Sequence, residues 1–298
     1  MHTSFQTTSE RRLDRNSFPM KLWEKAKKYG IWNPNDIDFT QDIADWQNLT
    51  DLEKDFLVRN VAVFQAGEEA VTLDLLPLIM AIAKEGRLEE EMFLTTFLWE
   101  EAKHVDGFNQ YITTVFGDEY SGDLSHYMVD SYKEIFYNLL PEALDRLTHD
   151  ASPVNMARAS VTYNMIIEGV LAETGYFSFH KMLESNGIMP GLMEFVGKLK
   201  QDESRHVAYG LYLISRLVAE NGDEVWDAVQ DQMNKLLPPT MALIEEGYNL
   251  YEVIPFDLDL TEFTEYAMGQ FQKRMVRLEK ARNQSLAELG NVAMEEVI

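Results

Sequence analysis

The chain of 298 residues contains no cysteine. Disulfides, zinc ribbons, iron–sulfur clusters and thiol nucleophiles are excluded at once, and a reducing compartment, the cytoplasm, is expected. Positive charge is also scarce: 26 Lys and Arg stand against 50 Asp and Glu, a formal net charge of −24. That field repels phosphate backbones and anionic headgroups, so neither nucleic acid nor a membrane surface is an expected partner. Long hydrophobic runs are missing too. The longest, Leu75 to Ala83, has nine residues including Pro77, well short of the ~20 that a membrane span requires. Met1 to Phe18 is polar, carries Arg11, Arg12 and Arg15, and lacks an apolar core, so it does not read as a secretory signal. There is no dinucleotide glycine fingerprint, and Gly117 to Gly122 imitates a phosphate loop only until Asp123 stands where lysine is needed.

Period-two strand patterns are absent as well, and between the few glycines and prolines apolar residues recur at three and four. The expected fold is all-α, a helical bundle in one domain spanning 1–298. Residues 1–48 read as an irregular arm with one short helix, Pro19 to Tyr29. The core is expected over 50–220. Thr50-Asp51-Leu52-Glu53 is a capping box that opens a helix toward Lys84, kinked at Pro77. Further helices are read from Leu88 to Phe116, Leu124 to Leu147, Pro153 to Leu183 and Pro190 to Glu220. Residues 224–290 form additional packed helices: Glu224 to Leu237, then Thr240 to Val253 beyond Pro238-Pro239, then Thr261 to Leu289.

Two of these helices carry the same short motif. Glu101-Ala102-Lys103-His104 and Glu203-Ser204-Arg205-His206 each place a carboxylate and an imidazole three residues apart, on one helical face. Mixed oxygen and nitrogen donors suit iron or manganese. One such motif is weak evidence in a glutamate-rich chain; two, each preceded by a further glutamate one helix earlier, are strong. Glu68 precedes Glu101, and Glu168 precedes Glu203. Glu168 sits within Met165-Ile166-Ile167-Glu168-Gly169-Val170-Leu171, where an unpaired carboxylate would be costly to bury. One Glu from each of two helices plus Glu-x-x-His from two others is the ligand pattern of dinuclear carboxylate bundles. Four glutamates neutralise two divalent ions, whereas without metal they would repel one another or take up protons. His2, His126, His149 and His180 lack a glutamate three residues before them and read as structural.

Glu68, Trp99-Glu100-Glu101-Ala102-Lys103-His104, Glu168 and Asp202-Glu203-Ser204-Arg205-His206 resemble the ferritin-like dinuclear oxidases. The closest resemblance is to the ribonucleotide reductase small subunit and its ligand-binding oxidase relatives. It implies a ferritin-like four-helix core with additional helices. In the reductase subunit the first metal carboxylate is usually aspartate, and a radical-forming tyrosine follows the first histidine by four residues. Here Glu68 and Phe108 occupy those places, which leaves the tyrosine-less Mn/Fe reductase subunits or the ligand-binding oxidases. Reductase subunits also end in a tail with a relay tyrosine, whereas the last tyrosine here is Tyr266. The oxidases carry a valine one turn after the first glutamate and a tyrosine five residues before the third; Val71 and Tyr163 stand there.

The resemblance therefore implies a dioxygen-using oxidase with one Mn and one Fe ion per chain, a di-iron pair being the variant. Val71 and Tyr163 would become joined by an ether bond. It further implies a bound long-chain fatty acid whose carboxylate reaches the metals, a homodimer, and Asp202 supporting the first histidine from outside the ligand set. Phe97 and Phe108, on apolar helix faces, are the candidate lipid contacts. Alternatives from other classes are the reductase subunit, an iron store, and a metal-dependent fatty-acid carrier.

Overall fold

The structure is a computed structural model and describes residues 4–120 and 122–282. Every regular element among them is helical. The end of the helix expected to reach Leu289 lies outside these residues, as does His2. Among the described residues there are twelve α-helices, in chain order α1 Phe18–Tyr29, α2 Thr40–Asn48, α3 Asp51–Asp74, α4 Leu76–Lys84, α5 Leu88–Tyr111, α6 Asp130–Lys133, α7 Leu140–His149, α8 Pro153–Ser160, α9 Glu173–Phe179, α10 Pro190–Asn221, α11 Asp223–Asn249 and α12 Leu260–Arg282. One apolar cluster runs from Phe18 and Leu22 of α1 through the central helices to Phe271 and Leu278 of α12.

Thr50 forms the expected capping box: its hydroxyl accepts from the Glu53 amide at 3.3 Å and its own amide donates to Glu53 Oε2 at 2.8 Å. The helix it opens ends at Asp74 instead of running on to Lys84. Pro77 lies in the first turn of a new helix, α4, where its missing N–H costs nothing. The opposite correction applies to Pro238-Pro239, which do not divide α11. Their rings deprive the carbonyls of Asn234 and Lys235 of amide partners. Both of those residues are exposed, so water can replace the lost donors. The stretch expected as one helix from Leu124 is a 3-10 turn, α6, a π-helical segment and α7.

Two further differences bear on function. The segment after α8 is π-helical over Val161–Ala172 and again over His180–Glu184. Such widened turns gather at functional sites. Against Val161–Ala172 packs α10, and contact is close enough that a Cβ on Gly210 would fall 2.2 Å from Cβ of Asn164. The second difference lies in the arm, which contains an additional helix, α2. Its buried Asp42 accepts the amides of Gly191 and Leu192, both at 2.8 Å, capping α10; Asp45 accepts that of Met189 at 2.8 Å. The arm thus fixes the start of the helix that carries the second Glu-x-x-His motif.

Candidate metal centre

Four helical segments converge at the middle of the molecule: α3 with Glu68, α5 with Glu101 and His104, Val161–Ala172 with Glu168, and α10 with Glu203 and His206. All six residues are buried, and His104, His206 and Glu101 have no exposed surface. Their donor atoms form two overlapping groups, Glu68, Glu101, His104 and Glu203 in one and Glu101, Glu168, Glu203 and His206 in the other, each within 4.8 Å. Glu101 and Glu203 belong to both.

The geometry fits a pair of ions. His104 Nδ1 lies 3.4 Å from Glu68, 3.7 Å from Glu101 and 3.4 Å from Glu203. His206 Nδ1 lies 3.2 Å from Glu101, 3.4 Å from Glu168 and 3.5 Å from Glu203. Ligands about 2.1 Å from one ion, at octahedral or tetrahedral angles, stand roughly 3.0–3.4 Å apart. Both Nδ1 atoms, Glu101 Oε2, Glu168 Oε1 and Glu203 Oε2 are buried with no hydrogen-bond partner. Polar atoms orphaned together at one point call for an occupant that accepts lone pairs.

Protonation within the chain tells the same story. Burial pushes Glu68 up to about 8 against the opposing pull of His104, and burial together with Glu203 raises Glu168 well above the carboxylate range. Burial also acts on Glu101, but the adjacent imidazoles of His104 and His206 outweigh it and hold the group low. Both imidazoles are raised despite burial, His104 first by the charge of Glu68 and His206 first by that of Glu203. Protons thus take up the charge that two ions would neutralise.

Behind the cluster lies a crossed set of supports. His104 Nε2 is 3.3 Å from Asp202, and His206 Nε2 is 2.9 Å from Glu100, a residue the sequence did not single out for that place. Each carboxylate precedes the glutamate of one motif yet serves the histidine of the other. With Nε2–H donated outward, Nδ1 is left free to bind a metal. Lys103 donates to Asp202 and to the Gly30 carbonyl, both at 2.8 Å, Arg205 to Glu100 at 2.6 Å and also to Asp202, and Trp32 to Asp202 at 2.9 Å. Trp32 and Gly30 come from the arm, so the arm completes this layer. Asp202 is held low: burial would raise it, but His104, Lys103 and Arg205 prevail.

The Tyr163 hydroxyl is 3.1 Å from the Val71 carbonyl and 3.2 Å from Glu101 Oε1, so the valine, the tyrosine and the cluster meet. In a π-helical segment residues five apart lie nearer one face than α-helical arithmetic allows, which brings Tyr163 round toward the side of Glu168. Tyr176, another buried phenol not foreseen, has no partner for its hydroxyl; burial and then Glu203 raise its pKa.

A cavity of about 140 Å³ opens on Glu68, Glu101, Glu168 and Glu203 and runs between α3, Val161–Ala172 and α11, with a mainly apolar lining. Val71 lines it. Phe97 and Phe108 do not. The Phe97 ring stacks on His206 at 3.6 Å, and Phe108 packs edge-on against Phe195 and beside Phe64. Both face the bundle interior, and the cavity is lined instead by residues such as Val63, Phe64 and Ile167.

Residues 18–281 match the family model of the ribonucleotide reductase small chain. The chain belongs to that family. Among solved structures it is similar to an R2-like ligand-binding oxidase with aerobically reconstituted Mn/Fe cofactor, at 40% identity and TM-score 0.86, covering 92% of this chain and 96% of the other. Two mutants of R2-like ligand-binding oxidase, also with aerobically reconstituted Mn/Fe cofactor, match at 41% identity and TM-score 0.86, and at 40% and 0.87. Each covers 92% of this chain and 97% of the other. Family membership agrees with the all-helical fold, and no described helix is long and apolar enough to cross a membrane.

Proposed function

We propose that the protein is an oxidoreductase, a dioxygen-using oxidase with a Mn/Fe pair that performs a two-electron oxidation on its own side chains and on a lipid-like ligand. Glu68 and His104 would hold one ion and Glu168 and His206 the other, with Glu101 and Glu203 available to both. When bound, the pair supplies the electrons and open positions that activate dioxygen. Asp202 and Glu100 orient the two imidazoles, and Phe97 shields His206 from water. A long-chain fatty acid occupies the cavity with its carboxylate at the cluster. The same family reading carries a cytoplasmic homodimer and one folding unit over the described helices.

The observation that carries this reading is the Tyr163 hydroxyl, within 3.1 Å of the Val71 backbone carbonyl and 3.2 Å of Glu101 Oε1. The Val71 Cβ–H and the Tyr163 O–H are broken and one Cβ–O ether bond is formed. Two electrons and two protons pass to dioxygen, with Glu101 Oε1 placed to relay the phenolic proton. An iron store or a carrier has no use for a phenol so placed, and a carrier would bind lipid without consuming oxygen.

The test is to load metal-free protein with Mn(II) and Fe(II), with and without oxygen, and to digest it. A peptide pair joining Val71 and Tyr163 and lacking two hydrogens should form only with oxygen. Tyr163→Phe should keep both metals and give no link. An unlinked Val71 peptide at full yield after aerobic loading would overturn the reading in favour of the reductase-subunit alternative.

A further inference from the structure

Along α3 the residues facing the cavity are Arg59, Asn60, Val63, Phe64, Gly67, Glu68 and Val71, a single stripe at helical spacing. Glu68 marks the cluster end. Arg59 stands nine residues earlier, about 13 Å away along the helix axis at 1.5 Å per residue. Between them, past Asn60, whose amide is taken up by the Phe56 carbonyl, the stripe is apolar, and Leu243 and Ile244 of α11 also line the cavity.

Arg59 is an unusual residue to find there. It is only 7% exposed, its Nε has no hydrogen-bond partner, and no carboxylate among the described residues forms an ion pair with it. The nearest acid, Asp55 one turn before, is already engaged, its two oxygens accepting from the hydroxyls of Tyr127 and Tyr251, both at 2.8 Å. Burial lowers the guanidinium pKa, with only partial compensation from Tyr251, Tyr248 and Asp55. The fold nevertheless makes room for this group: a Cβ at Gly247 of α11 would fall 1.9 Å from Arg59 Nη2. A buried cation without a direct ion pair is costly unless something anionic meets it.

We propose that Arg59 anchors an acidic group at the end of the ligand remote from the metal cluster, so that the cavity selects an acyl chain carrying a carboxylate at both ends. This rests on the reading that the cavity receives an acyl ligand whose first carboxylate reaches the metals. One carboxylate meets the ions, and the other forms a charge-assisted pair with the guanidinium. At about 1.25 Å per carbon along an extended chain, roughly ten to twelve carbons span the distance.

The experiment offers metal-loaded protein an equimolar mixture of dodecanedioate and its monomethyl ester, the same chain with one end neutral. Bound material is then extracted and quantified by mass spectrometry. The native protein should retain the diacid over the half-ester by about tenfold or more, a typical discrimination for a lost charge-assisted bond. In Arg59→Gln the ratio should fall to near one, and Arg59→Lys, which keeps the charge, should restore part of it. A native ratio near one, an undiminished ratio in Arg59→Gln, or failure of the native protein to take up either compound overturns the proposal. Metal content and the Val71–Tyr163 link are measured on the same samples. If those are intact while the ratio is one, the anchor fails and the oxidase reading stands; if those are absent, the oxidase reading itself has failed.

Discussion

Replacing Glu100 by Gln changes one oxygen to an amide and leaves the shape of the side chain intact, which isolates the electrostatic contribution behind His206. The carboxylate accepts from His206 Nε2 at 2.9 Å and from Arg205 at 2.6 Å, in a place with no exposed surface. A neutral amide accepts more weakly, so the imidazole becomes a poorer donor to a metal through Nδ1. Loss of such support costs about 10- to 100-fold in metal affinity, or about 1.4–2.7 kcal/mol. Because Asp202, not Glu100, stands behind His104, the loss should fall on one of the two ions only. Asp202→Asn should weaken the other ion, at His104, and spare the one at His206. Chelator competition followed by elemental analysis reads this directly: Glu100→Gln should shed about one ion per chain at a chelator concentration where the native protein keeps two. The Asp202 variant should also melt lower, since Lys103 and Trp32 both donate to Asp202. Biphasic release in the native protein that collapses to simultaneous loss of both ions in Glu100→Gln would refute the crossed assignment. So would an unchanged affinity in both variants.

Three further outcomes are expected. His104→Ala and His206→Ala should each hold less metal than the native two ions per chain, and full occupancy in both by elemental analysis would count decisively against the ligand set. Asp42→Ala removes the acceptor for the amides of Gly191 and Leu192, and should lower stability by about 1–2 kcal/mol, seen as a fall of roughly 2–8 °C in melting temperature by calorimetry. Organic extraction of several independent preparations, followed by mass spectrometry, should release a stoichiometric long-chain acid; its consistent absence would remove the lipid from the reading.

What the sequence made legible is local in the chain. Glu-x-x-His spans one helical turn, so its spacing alone puts both donors on one face, and the isolated glutamate among Ile166, Ile167 and Val170 marks itself by the cost of burial. The elements that escaped are those decided by packing. The π-helical run across Val161–Ala172 has a hydrophobic pattern that suits an α-helix equally well, and α2 is only nine residues of polar composition. Its value appears only when Asp42 meets the start of α10, 149 residues away. Likewise Phe97 and Phe108 have the spacing of a lipid wall, but the rotation of α5 about its axis turns them inward, and spacing does not record rotation.

The crossed supports are the clearest case. Both motifs carry the same five-residue arrangement, an acid before the motif glutamate and a cation before the motif histidine, in Glu100-Glu101-Ala102-Lys103-His104 and in Asp202-Glu203-Ser204-Arg205-His206. The repeat is visible in the sequence, yet its consequence is not, because Glu100 serves a histidine 106 residues away and Asp202 one 98 residues away. Neither half of the bundle can therefore orient its own histidine. The imidazole of α5 is aligned only once α10 has docked, and that of α10 only once α5 has, while Glu101 and Glu203 belong to both donor groups. Two half-sites that each depend on the other half become competent together, and the arm, through Trp32, Gly30 and Asp42, joins the same condition. A chain built this way has no partly assembled site to bind a lone ion tightly, which ties acquisition of the metal pair to completion of the fold.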